Sequence, residues 1–93
     1  MLSESRARDL AADALGFIAA DPELVTALLD VSGLQPGDLR KAAAKPEFGL
    51  FLLDFILQDD RRVLAFAADR AVPPEAVLQA REWLIHGGDG RDG

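Results

Sequence analysis

Pro46-Glu47-Phe48-Gly49-Leu50-Phe51-Leu52-Leu53-Asp54-Phe55-Ile56-Leu57-Gln58 is the stretch on which the fold turns. With residues placed at helical steps, Glu47, Asp54 and Gln58 fall in one stripe about 40° wide, and apolar side chains take nearly all the rest. A helix apolar on most sides is one with other helices around it, so residues 46–58 are expected to form a central helix with five neighbours. Phe48, Phe51 and Phe55 all stand on it and should anchor the core. Gly49 costs about 1 kcal/mol against alanine in a helix interior unless a closely packed neighbour uses the missing side chain.

Working outward, Gly and Pro divide the remainder into segments that each carry a helical period. Ser3 is a plausible N-cap for a first helix to about Ala20, with Leu10, Ala14, Phe17 and Ile18 on one face. Asp21-Pro22-Glu23 reads as N-cap, N1 and N2 of a second, because proline has no N–H to waste there and Glu23 complements the helix dipole. Leu24, Val25, Leu28, Leu29 and Val31 crowd one side of it, and Gly33 follows as a left-handed C-terminal residue. Gln35-Pro36-Gly37-Asp38 opens a short third helix through Ala44, with Leu39, Ala42 and Ala43 inward. Asp59 caps a fifth that ends near Ala71, and Pro73-Pro74-Glu75 begins a sixth expected to stop at Gly87-Gly88 after His86. No window alternates like a strand. The expectation is all-α: a single six-helix domain over residues 1–86, with residues 87–93 a mobile Gly- and Asp-containing tail.

An offset of 38 residues aligns the chain with itself. Leu15, Phe17, Ile18 and Asp21 fall on Leu53, Phe55, Ile56 and Asp59; Val25, Ala27, Pro36 and Ala42 fall on Val63, Ala65, Pro74 and Ala80. Caps, prolines and apolar positions agree together, which points to two similar three-helix units. Neither is large enough to close a core alone, so they should pack on each other.

Composition narrows the functional classes. At 93 residues there is room for one domain, and 49 % apolar residues are enough for it to fold. The formal charge of −6 disfavours nonspecific contact with phosphate backbones. Having no cysteine, the chain has neither a disulfide framework nor a thiol nucleophile. Residues 1–20 mix Glu4, Asp9 and Asp13 with arginines, unlike a secretory leader. The longest apolar run, residues 48–57, is about half a membrane span and carries Asp54. A cytoplasmic protein is expected.

Several residues invite a chemical reading. Residues 23–45 have the outline of a DNA-binding helix-turn-helix, with Gly33 in the turn, Leu34, Leu39 and Ala42 as buried positions, and Arg40, Lys41 and Lys45 outward. Against it, Leu29 stands four before the turn glycine, where the motif wants a small residue, and the short helix offers no Asn or Gln to read bases. Asp54, Asp59, Asp60 and Glu75 could be metal carboxylates, but Asp59 serves better as an N-cap and Glu75 as a first-turn partner of the dipole. His86 reads as a capping residue at a helix C-terminus, with no Ser or Cys nearby for catalysis. Arg70 is expected to snorkel or to find a carboxylate, Asp69 facing elsewhere. Trp83 is read as a core residue in preference to an exposed interface anchor. Gly33 and Gly37 do not make a phosphate loop.

The runs Ala14-Leu15-Gly16-Phe17-Ile18-Ala19-Ala20-Asp21-Pro22 and Ser32-Gly33-Leu34-Gln35-Pro36-Gly37-Asp38-Leu39-Arg40 resemble a family of small bacterial proteins, family 3572 of the domain-of-unknown-function series. Leu53-Asp54-Phe55-Ile56-Leu57 and Val72-Pro73-Pro74-Glu75-Ala76-Val77 fit the same pattern. The resemblance implies a small helical cytoplasmic protein and brings no catalytic, cofactor or metal residues with it. The expectation is therefore no enzyme and no cofactor, but a protein-interaction or adaptor module whose partner is another protein or a second copy of itself. The alternative is a DNA-associated regulator using residues 23–45.

Overall fold

The computed structural model describes residues 3–90, and the side chains of all of these except Pro46 and residues 87–90. Six α-helices follow in order: α1 Glu4–Ala19, α2 Pro22–Ser32, α3 Leu39–Ala43, α4 Pro46–Leu57, α5 Asp60–Arg70 and α6 Glu75–Gly90, with a 3₁₀ turn at Pro36–Asp38 before α3. No strand occurs among the described residues. The fold is an all-α bundle about two helix layers thick, with extents of 39 × 26 × 18 Å.

The caps explain where the helices begin. Ser3 Oγ accepts from the Arg6 N–H at 3.1 Å, and Asp21 and Asp59 each accept from the N–H two residues on at 2.9 Å. Each such bond satisfies one of the orphan donors of a helix N-terminus and contributes about 1 kcal/mol. The C-terminus of α4 is closed from outside. Arg62 Nη1 donates to the Phe55 carbonyl at 2.9 Å, and its guanidinium carbon lies 4.1 Å from the centroid of the Phe55 ring.

Helix α4 is the hub. Phe48, Leu52, Leu53, Phe55 and Ile56 are buried. It packs most extensively against α1 and α6, and also against α5 and α3. The remaining one, α2, packs mainly on α1, because the short link at Ala20-Asp21 folds it straight back. Its apolar side is correspondingly less covered than the periodicity implies: Leu28 is the one fully buried residue of α2, and Val31 is 54 % exposed. From α1 the core takes Leu10, Ala14 and Ile18, and Phe17 meets Phe66 of α5 in a tilted pair with centroids 5.2 Å apart. Helix α3 is shorter than expected, ending at Ala43. Leu39 and Ala42 pack on the core, while Ala43 is exposed.

The C-terminus needs a second correction. Helix α6 does not stop at Gly87-Gly88 but continues to Gly90, and residues 91–93 lie outside the described residues. Glycine weakens a helix interior by about 1 kcal/mol but ends it only where the backbone turns left-handed. Among the described residues Gly33 is the one glycine with positive φ.

The 38-residue offset reappears in the backbone. Helix α2 shifted by 38 is α5 at both ends, and α1 and α4 end at equivalent positions. The N-caps Asp21 and Asp59 correspond, as do the left-handed residues that close α2 and α5, Gly33 at φ 73° and Ala71 at φ 57°. Ala11 of α1 and Gly49 of α4, also equivalent, are in contact: a Cβ on Gly49 would lie 3.0 Å from that of Ala11.

Glycine is at home at φ 73°, whereas alanine at φ 57° carries a cost of roughly 1–2 kcal/mol. We expect Ala71→Gly to stabilise the protein by about 0.5–1 kcal/mol after the added unfolded-state entropy of glycine, and Gly33→Ala to destabilise it by a similar amount. Urea unfolding of the two variants checks this; an Ala71→Gly protein less stable than wild type contradicts it.

Candidate functional site

A groove of about 830 Å³ forms where α1, the α3–α4 junction, α4 and α6 meet. Small residues line it, Ala11 and Ala12 from α1, Ala43 and Ala44 from the junction, and Gly49 from α4. Leu15, Leu50, Trp83 and Leu84 line it too, with the buried Phe48 and Leu52 beneath. Three charges border it: Arg8, Lys45 and Glu47.

The groove follows from the unequal third helices of the two units. Helix α3 ends at Ala43, whereas its counterpart α6 runs on past Trp83, the position equivalent to Lys45. One end of the α1–α4 pair is thus left uncovered where α3 stops. Three equivalent pairs line the groove, Ala11 with Gly49, Ala12 with Leu50 and Lys45 with Trp83. It therefore lies at the junction of the two units.

Trp83 is neither fully buried nor free: it packs against the core with one part and lines the groove with another. Sequence reasoning weighed core against interface for this residue and did not see that one indole can serve both. Nor did it see the groove, because Ala11, Ala44 and Trp83 come together only in three dimensions.

The other candidate residues are placed apart. Asp54 on α4 pairs with Arg81 on α6, which also reaches Glu82 at 3.3 Å. The hydrogen bond from Arg81 to Asp54 holds that guanidinium above its ordinary pKa. Asp59 caps α5, Asp60 opens it, and Glu75 stands in the first turn of α6. Arg70 does find Asp69, contrary to the expectation that this neighbour faces away. The two are 2.7 Å apart and Asp13 of α1 is 3.5 Å from the same guanidinium. The bond to Asp69 raises the Arg70 pKa. Rotation of the adjacent side chains about the exposed rim of α5 makes the bond despite their difference in helical position.

His86 does not cap a helix end, since α6 continues beyond it; it lies 3.4 Å from Glu82 one turn back. Arg40 and Lys41 are exposed on α3, a helix of five residues, about 7.5 Å long at 1.5 Å per residue. Residues 33–38, including the 3₁₀ turn, separate it from α2, more than the three or four of a helix-turn-helix.

A helical bundle with an open, mostly apolar groove is thus the class of protein that fold and site define. The chain belongs to the DUF3572 family, described as proteins of unknown function, whose model matches residues 4–87. No curated protein and no solved structure matches it. Among the described residues no helix is long and apolar enough to cross a membrane.

Gly49 is where the groove lining and the core coincide. Gly49→Ala removes the glycine cost but sets two β-carbons 3.0 Å apart on helices that cannot part without opening the core. We expect a net loss of about 1 kcal/mol, recovered in part by Ala11→Gly in the same chain. Thermal melts of the single and double variants measure it; a Gly49→Ala protein melting above wild type refutes the close-contact account.

Proposed function

We propose that this chain is a non-enzymatic protein-interaction module of the bacterial cytoplasm, and that the groove between α1, the α3–α4 junction and α6 is where its partner docks. The groove carries the reading. Its volume of about 830 Å³ lies within the usual range for binding clefts, and its lining is predominantly apolar with few charges. Its exposed apolar side chains are a surface that a partner's apolar side chains can cover. An indole in its lining is the residue type most often found to dominate interface energy. The candidate acids and bases are taken up in caps and in the ion pairs of Asp54 with Arg81 and Arg70 with Asp69, which argues for recognition and not catalysis.

A photo-crosslinking amino acid at Ala12 or Ala44, both exposed on the groove, tests this in the source cell against the same group at Ala68, exposed on α5 away from it. We expect a discrete adduct from positions 12 and 44 and none from 68. Equal labelling at all three positions, or none at any, rejects the groove as the docking site.

A further inference from the structure

We infer that the occupant of this groove is an acidic amphipathic helix of a different protein; this rests on the docking reading above and specifies its partner. Three observations carry it. First, five of the residues lining it, Ala11, Ala12, Ala43, Ala44 and Gly49, have little or no side chain and admit a helix backbone to close approach. Second, the hollow is partly open to solvent, so an occupant keeps one side in water while burying the other, as an amphipathic helix does when its apolar face lies in a groove.

Third, the charges around the groove run opposite to those of the chain. The protein carries −6 overall, and from Asp9 to Leu39 it has acidic residues and no cation. The segment from Arg40 to Glu47 reverses this with Arg40, Lys41 and Lys45 against Glu47 alone, and it supplies the rim at Lys45 and Glu47. Arg8, on α1, is the second cation lining the groove, so two cations stand against one carboxylate. Among the described residues no carboxylate pairs with Arg40, Lys41 or Lys45, and the partner of Arg8 is Glu4 in an exposed pair that exchanges readily for another anion. Cations bordering an apolar groove in an acidic protein select carboxylates flanking apolar anchors, and steer them by field. A second copy offers a poorer match. Its own acidic helix, α2, is packed on α1 through Leu28, and lodging α2 of one copy in the groove of the next builds an open-ended chain of like-charged molecules.

Trp83 is the single tryptophan, there is no tyrosine, and it lines the groove, so its emission reports occupancy directly. The experiment titrates the full chain at low salt with two synthetic helices of about five turns. Both carry the same leucine face, one flanked by Glu and the other by Lys. The expected result is a Trp83 shift with affinity about tenfold higher for the Glu-flanked peptide, a difference that shrinks as salt screens the rim. Arg8→Glu with Lys45→Glu, both on exposed side chains, should invert the preference. Equal binding of the two peptides, or preference for the Lys-flanked one, overturns the acidic partner and leaves the docking groove standing. No response of Trp83 to either peptide overturns the docking reading itself. A mass by light scattering that rises with concentration in the wild type and not in the double variant puts a second copy in the groove and rejects a different protein as its occupant.

Discussion

The contact between Ala11 and Gly49 is the constraint from which the rest follows. A hydrogen on the α-carbon of Gly49 lets α4 approach α1 to within β-carbon reach. That approach places Leu10, Ala14 and Ile18 of one helix among Leu52, Leu53 and Ile56 of the other, all of them buried. Every remaining helix is set against this pair: α6 on both, α5 and α3 on α4, and α2 on α1. The glycine cost of about 1 kcal/mol is small beside the roughly 1.5–3 kcal/mol by which burying each large aliphatic side chain stabilises the fold. Tolerating it is the cheaper arrangement.

Most of this architecture was legible because local physics and tertiary packing agree. The aspartates at 21 and 59 announce helix starts through an oxygen that must accept an N–H, and that chemistry does not depend on what lies across the core. The apolar girth of residues 46–58 likewise has one reading. Helices α2 and α5, 38 residues apart, share both their bounds and their capping aspartates.

What escaped the sequence depends on distance in space or on a residue acting outside its propensity. Ala71 closes α5 in a left-handed conformation with no glycine to advertise it; only its equivalence to Gly33 carries the signal. Gly87 and Gly88 do not end α6, because a glycine stops a helix where the backbone turns left-handed and α6 runs on to Gly90. Val31 looked like core because periodicity reports amphipathicity and not whether a neighbour is there to cover the face. The groove is a property of the missing length of α3, and an absence of chain leaves no letters to read.

The interleaving of the two units carries a consequence for how the chain holds together. Helix α1 packs more extensively with α6 and α4 than with α2, its neighbour in sequence. Neither half therefore owns its core; each half's hydrophobic face is completed by the other. The link between them, at Ala44-Lys45, is short and exposed. A backbone nick there would sever the polypeptide without severing the core, so that two separately expressed fragments would be natural complementation partners, each unstructured alone and ordered on meeting.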